Sequence, residues 1–399
     1  MSDFFQSGAI TTLHRLRSGG LARMERELAE FARETPIALV LPCHARELGS
    51  AALKRIVREL RSVRYLRQIV VGIDAANRAD WLRARRVFSV LPGESLLVWN
   101  DGPRMRRLLR RLDAVGRAGK GRNVWMCIGC VLAAGQASVV AVHDCDIIGY
   151  DRELLARLCY PIAHPEFGFA FCKGYYARVT DRLHGRATRL LVTPLLRALR
   201  EIVGPHPLLV FLDTFRYPLA GEIAMRLEMA ERIRIPHDWS LEIGTLAEVF
   251  RSASPRAVCQ SALCDGYDHK HQSLGSGETG PGLKRAAVDI VAALFRNMAA
   301  EGIRLDDELF AALPADYARH AEESLRAYSA DAAINGLRYP RGDEERAVAA
   351  FAQSIGAAAK VFQNEPCEMS SMPAWDIVRA VLPEFGTELL DVVACDARE

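Results

Sequence analysis

Residues 139–147 read VVAVHDCDI, an apolar run that stops at Asp144-Cys145-Asp146. Side chains two apart on an extended strand point the same way. Asp144 and Asp146 therefore place two carboxylates on one side of a strand end. Such a pair suits a hard divalent cation, Mg2+ or Mn2+, which can bridge a diphosphate and neutralise the charge that grows on it as it leaves. A solvated turn presents the same spacing, so what surrounds the pair decides between the two.

Upstream, strand-like and helical segments alternate. GLARMERELAEFARE (20–34) carries Leu21, Met24, Leu28 and Phe31 at helical spacing, and Pro36 then introduces the apolar run IALVLP at 37–42. Helical ELGSAALKRIVRELRSV leads to RQIVVGIDAAN, helical ADWLRARRVFSVL leads to ESLLVWNDG, and a helix around 122–135 leads to the D-x-D strand. Strands that are apolar throughout and alternate with helices predict a parallel sheet covered on both faces. Polar residues collect at the strands' carboxyl ends: His44, Glu47, Asp74, Asn100, Asp101, Asp144 and Asp146. In an open α/β sheet, ligands bind at those ends.

Downstream of residue 160 the pattern turns to mixed α+β. HPEFGFAFCKGYYARV reads as strand, ATRLLVTPLLRALREIVG as helix, and LLVFLDTFRYPLAGEIAMRLEMAERI as a turn and a further helix. SLGSGETGPG (273–282) is the clearest linker, and 283–399 reads as helices without concentrated chemistry. The expected organisation is an N-terminal helical segment at 1–35, an α/β domain at 36–275 and a helical region at 276–399. Apolar faces on the last helices suit either a homodimer interface or a cover for the sheet.

Composition narrows the class. A net charge of +3 gives no field for nucleic acid. The arginines at 104, 106, 107, 110 and 111 alternate with apolar residues as on a surface helix. No stretch approaches the roughly 20 apolar residues of a membrane span, and no secretory leader is apparent. The scattered cysteines read as reduced thiols of a cytoplasmic protein, with Cys127 and Cys130 sharing one helix face.

Dinucleotide-binding and P-loop glycine patterns are absent. The basic glycine-rich element that does occur is GKGRN at 119–123. There Lys120, one of only six lysines, can reach a phosphate or stand exposed in a turn. GYDHKHQ offers His269 and His271, and an imidazole can complete a carboxylate site for Mn2+ or can be polar surface.

Taken in order, LPCHARE (41–47), GKGRN, HDCD, HGRATRLLVTPLLRAL, PLAGE (218–222), SLEIG (240–244) and DHKHQ resemble the glucosyl-3-phosphoglycerate synthases. These are retaining glycosyltransferases of the GT-A type nucleotide-diphospho-sugar transferase fold. The resemblance runs from about 36 to 275 and departs from the family pattern at Arg46, Ala220, Tyr267 and His271. It implies a metal held by Asp144, Asp146 and His269. Donor contacts fall on Pro42, Glu47, Asp74, Lys120, Asp144 and Gly221. The acceptor loop is Gly185-Arg186-Ala187-Thr188, with Tyr267 and His271 nearby, and Glu222 and Glu242 lie beside the sugar. A guanidinium such as that of Arg186 suits a carboxylate or phosphate through two parallel hydrogen bonds, and Thr188 can donate to an acceptor or cap the following helix.

The expected reaction moves a hexose, glucose by resemblance, from an NDP-sugar to 3-phospho-D-glycerate or D-glycerate with retention, giving a product of the compatible-solute type. Two alternatives share the D-x-D metal: a nucleotidyltransferase that makes the NDP-sugar, and a non-catalytic sugar-nucleotide binder.

Overall fold

The structure is a computed structural model that describes residues 6, 8–17, 19–92, 94–113, 118–264, 281–367 and 371–398. Tyr267, His269 and His271 lie outside them.

The chain opens with β1 (Thr11–Leu13) and α1 (Leu21–Phe31), then alternates through β2 (Ile37–His44), α2 (Ala51–Leu60), β3 (Leu66–Asp74), α3 (Arg78–Phe88) and β4 (Glu94–Trp99). α4 (Pro103–Leu109) and α5 (Lys120–Ala134) lead to β5 (Val139–Val142), the strand that delivers the D-x-D pair. Next come α6 (Arg152–Ala163), β6 (Phe171–Tyr175), a π-helical segment (Ala187–Val192), α7 (Thr193–Val203) and α8 (Pro207–Thr214). β7 (Ile223–Arg226), α9 (Leu227–Arg232), β8 (Ile235–Pro236), α10 (Leu241–Ser252) and β9 (Val258–Ala262) complete the first 264 residues. The remainder is α11 (Pro281–Ala300), α12 (Asp307–Ile334), α13 (Arg341–Asn364), β10 (Ser371–Met372), α14 (Trp375–Val381) and α15 (Phe385–Arg398).

Local chemistry sets several of these starts. The Ser50 hydroxyl caps α2 by accepting from Leu53 N, and Asn77 and Asp80 form a reciprocal capping box on α3. The large sheet runs β1-β9-β6-β7-β5-β2-β3-β4, parallel except for β7, which is antiparallel to both β5 and β6. Burial on both faces follows the two-residue period of a strand. In β2, Ala38 and Val40 point into one core with α5, α7, α10 and the C-terminal helices, while Ile37, Leu39 and Leu41 point into the other with α1, α2, α3 and α6.

Two readings of the sequence need correction, and a third gains detail. The parallel sheet expected from 37–147 is present, but the segment read as a turn and a helix also contains β7, which is only four residues long and runs directly into α9. The first 35 residues are not solely helical, because β1 pairs in parallel with β9. The helix expected over ATRLLVTPLLRALREIVG is present and begins as a π turn. Pro194 has no N–H for the Leu190 carbonyl, and the Tyr317 hydroxyl on α12 donates to that oxygen at 2.6 Å instead.

The C-terminal region is bound into the α/β layer. β10 pairs antiparallel with β8, Ser371 opposite Pro236. Trp375 stacks on Trp125 with ring centroids 4.2 Å apart, and its indole N–H donates to the Trp125 carbonyl at 3.0 Å. The arginines of α4 reach this region too, Arg104 pairing with the buried Asp396 at 2.8 Å. No helix among the described residues is long and apolar enough to cross a membrane.

Candidate active site

A broad cleft opens at the carboxyl ends of β2, β3 and β5, as expected for an open α/β sheet. Its first wall begins at β5. His143 is fully buried, and burial pushes its imidazole down to about 4, so the ring is neutral. Its Nδ1 stands 3.0 Å from the Asp144 carbonyl oxygen, which can only accept, so Nδ1 carries the proton. Asp144 and Asp146 follow, both on the cleft.

Lys120, at the start of α5, pairs with Asp144 at 2.7 Å and with Glu242 of α10 at 3.1 Å. Burial works against its charge, but Asp144 and Glu242 outweigh burial and hold the ammonium well above the ordinary lysine range. The glycine that follows Lys120 has a packing role. A Cβ on Gly121 would lie 1.7 Å from the Pro236 carbonyl oxygen, so the glycine admits the β8 backbone. That approach brings the loop at 237–240 and Glu242 to the end of α5.

Gly221 borders the same wall. A Cβ there would meet Lys120 Nζ at 2.7 Å and the Asp144 carboxylate oxygens at 2.8 and 2.9 Å. The glycine thus leaves a cradle in front of the carboxylate and the ammonium. One layer behind it, the carboxylate of Glu222 is fully buried and accepts from the Tyr176 hydroxyl at 2.6 Å. The structure therefore sets Glu242, and not Glu222, on the cleft surface. β7 begins at Ile223, and the chain turns the Glu222 side chain inward to Tyr176.

Lys173 of β6 is also buried here and was not anticipated from the sequence. Its ammonium donates to the Ala220 carbonyl at 2.5 Å, and burial pushes its pKa down to about 8 despite nearby Glu242 and Glu222. A lone lysine inside the apolar strand FAFCKGY was the available signal.

The β2–β4 corner holds three more of the residues singled out in the sequence. Pro42 and Glu47 line the cleft, and Glu47, 4% exposed, accepts from Arg46 Nε at 3.2 Å. Asp74 accepts from Asn100 at 3.2 Å and from the buried Arg122 at 3.4 Å, and burial raises its pKa.

The facing wall contains Gly185, Arg186, Ala187 and Thr188, together with α11 and α13. Gly185 takes φ +72, which turns the chain into the π segment. Arg186 Nε donates to Glu344 of α13 at 2.5 Å. The Thr188 hydroxyl is buried and has no hydrogen-bond partner among the described residues. The region read as free of concentrated chemistry thus contributes Glu344 to this wall. Asp289 of α11 faces the cleft as well, and burial, with Asp238 adding to it, raises its carboxyl to about 6.

Among the described residues no cluster of three or more His, Cys, Asp or Glu side chains is placed to hold a metal. The third ligand implied by resemblance, His269, lies outside those residues.

No protein-family model matches the chain. A glucosyl-3-phosphoglycerate synthase of Persephonella marina is 42% identical over 400 residues, 99% of this chain and 99% of that one. The synthase of Methanococcoides burtonii is 34% identical over 406 residues, 100% of this chain and 98% of that one. The chain belongs to the glucosyl-3-phosphoglycerate synthase family.

The glucosyl-3-phosphoglycerate synthase of Mycobacterium tuberculosis, solved with Mn2+, UDP-glucose and phosphoglyceric acid, shares the fold. Its TM-score is 0.56 at 22% identity, over 73% of this chain and 89% of that one. The mixed sheet with its helical C-terminal region is therefore the GT-A arrangement of the glucosyl-3-phosphoglycerate synthases. Family identity also extends beyond the motifs at 36–275. Both full-length relatives match through the helices α11 to α15, so the C-terminal region is part of the synthase pattern.

Proposed function

We propose that the chain transfers glucose from UDP-glucose to 3-phospho-D-glycerate with retention at the anomeric carbon. The observation that carries this reading is one continuous cleft with Asp144, Asp146, Lys120 and Glu242 on one wall and Arg186 and Thr188 on the other. The M. tuberculosis enzyme has been solved with a Mn2+ ion, UDP-glucose and phosphoglyceric acid together, which supports the same pair of substrates here.

A Mg2+ or Mn2+ ion fits the donor set. Asp144 and Asp146 supply hard carboxylate oxygens on the cleft, and Gly221 keeps the space before Asp144 free of a side chain. These two residues would hold the ion, with His269 as a third ligand. When bound, such a cation would offset the charge that develops on the departing diphosphate.

Lys120 stays protonated and donates to a diphosphate oxygen, adding fixed positive charge where negative charge grows. Pro42, Glu47 and Asp74 line the nucleoside end of the cleft. Glu242 orients the sugar hydroxyls, and Gly221 lets the sugar come close to Lys120. Glu222 acts from behind by fixing Tyr176.

On the acceptor side, Arg186 takes a carboxylate or phosphate through its terminal amino groups, and the Thr188 hydroxyl gains the hydrogen bond it lacks among the described residues. Tyr267 and His271 belong to the same side by resemblance. Arg178, Arg182, Lys284 and Arg285 also line the cleft, which favours the phosphorylated acceptor over free glycerate. The acceptor hydroxyl attacks on the face the diphosphate leaves, and its proton passes to a diphosphate oxygen, so no covalent glycosyl-enzyme forms. The protein works in the cytoplasm, consistent with ten cysteines that are all free thiols.

The test is product formation from UDP-glucose and 3-phospho-D-glycerate with Mg2+ or Mn2+, the anomeric configuration being read by NMR, with Asp146→Ala as control. An α-linked glucosyl product that disappears in the control is expected. Pyrophosphate formation from UTP and glucose 1-phosphate would point to the nucleotidyltransferase alternative. A trapped glycosyl adduct would contradict same-face attack, and binding of UDP-glucose without turnover would contradict the enzymatic reading.

A further inference from the structure

Arg186 is the acceptor-side arginine of the proposed reaction, yet no side chain of its own loop fixes it. The partner lies 158 residues away, on the first turn of α13. Glu344 there is 2% exposed. One of its oxygens accepts from Arg186 Nε at 2.5 Å and the other from Arg189 at 2.8 Å. Arg189 is itself fixed, because its Nε donates to the His184 carbonyl at 2.8 Å and its guanidinium lies over the Tyr328 ring, 4.7 Å from the centroid. The carboxylate is therefore anchored through one oxygen and holds Arg186 through the other.

The way Arg186 is held separates an orienting role from plain charge neutralisation. An arginine whose charge is simply buried is commonly gripped by a carboxylate across two nitrogens. Here only Nε is engaged. The two terminal amino groups have no partner among the described residues, and the residue lines the cleft with its side chain 20% exposed. Two guanidinium groups against one carboxylate also leave a net positive charge on this wall. A long side chain ordered before its ligand arrives loses less freedom on binding, so affinity rises without a new contact.

We propose that Glu344 is the positioning residue for Arg186, and that the C-terminal helical region in this way completes the acceptor site. The inference rests on the assignment of Arg186 to the acceptor.

The experiment compares Glu344→Gln, Arg186→Ala and the double variant. The KM for 3-phospho-D-glycerate and for UDP-glucose is measured separately, with thermal unfolding of each protein as a check on folding. Glu344→Gln keeps the size of the side chain and removes the charge. It is expected to raise the acceptor KM about tenfold while the UDP-glucose KM stays within twofold. In the Arg186→Ala background the same substitution is expected to add less than twofold, because Glu344 then has nothing to orient. Should Glu344→Gln fail to fold, Glu344→Asp carries the same comparison, drawing the charge back by one methylene.

An acceptor KM unchanged by Glu344→Gln but raised by Arg186→Ala would overturn the inference and leave the acceptor site standing. An effect of Glu344→Gln that persists in full without Arg186, or that strikes both substrates equally, would overturn it as well. If Arg186→Ala itself changes nothing, the acceptor assignment falls and the inference with it.

Discussion

The wall of the cleft that carries Asp144 and the wall that carries Arg186 are supported in different ways. The first is made of strand ends. Asp144 and Asp146 leave β5, Asp74 ends β3, and Glu47 follows β2, so the sheet's own hydrogen bonds set their spacing. The second wall is an assembly of distant pieces: a π turn at 187–192, the hydroxyl of Tyr317, and a carboxylate from α13. A sheet edge holds its residues whatever sequence follows, whereas the Arg186 wall exists only if the C-terminal helices dock. Damage to the first wall should remove chemistry and spare stability, and damage to the second should cost stability and acceptor affinity together.

The strongest break of that contrast is at the D-x-D pair. Asp146→Ala is expected to lower kcat about a thousandfold, with little change in Tm. Chelation of divalent cations should have the same effect on the wild type and be reversed by added Mn2+. A large loss of Tm in Asp146→Ala would mean that the strand end depends on its carboxylate to fold.

Glu344→Ala probes the other wall. It leaves Arg189, a buried arginine, without its carboxylate, and removal of one partner from a buried pair costs about 3–5 kcal/mol. Chemical denaturation should show that loss, together with the raised acceptor KM. A variant as stable as the wild type would show that α13 docks through its apolar face alone.

Lys173→Met sharpens the comparison, because it separates stability from activity on the first wall. The substitution removes the hold on the Ala220 carbonyl and should lower kcat at least tenfold. Its effect on stability runs the other way. The native pKa of about 8 lies below the ordinary 10.5, so below pH 8 the wild type bears the full burial cost of the ammonium. From pH 8 to 10.5 the folded lysine is neutral while the unfolded one still binds a proton, so wild-type stability rises against the variant. The span corresponds to about 3 kcal/mol. Denaturation of both proteins at pH 7 and pH 10 reads it directly, and a gap that does not narrow with pH would mean that the buried ammonium carries no such cost.

The smallest effect is expected at Asp289, raised to about 6 by burial and by Asp238. A carboxyl with a raised folded pKa is favourable below the unfolded value and loses that advantage as pH climbs through 6. Asp289→Asn should therefore stabilise the protein at pH 8 and not at pH 4. The group is only partly buried, so the gain is discounted to about 1 kcal/mol.

The same contrast explains what the sequence could reveal. The D-x-D strand, Glu47 and Asp74 were legible because strand period and strand ends are local properties. Lys120 was singled out by its glycine-flanked position, but nothing local showed that the glycine after it makes room for the Pro236 backbone. That contact joins residues more than a hundred positions apart. Glu344 sits in the charged run RGDEERA at a helix start, where nothing distinguishes a buried carboxylate from its solvated neighbours. β7 was missed because a four-residue strand that flows into a helix shows no period of its own. Glu222 was placed beside the sugar through its motif, and only the fold shows that its side chain turns inward to Tyr176.

The most direct test of the two-wall account is steady-state kinetics of Arg186→Ala with UDP-glucose and 3-phospho-D-glycerate varied independently. Loss of charge-assisted hydrogen bonds to the acceptor, about 1.5–3 kcal/mol, predicts an acceptor KM raised roughly 10- to 100-fold, with the UDP-glucose KM essentially unchanged. An equal rise in both constants, or an acceptor KM that does not move, would contradict it.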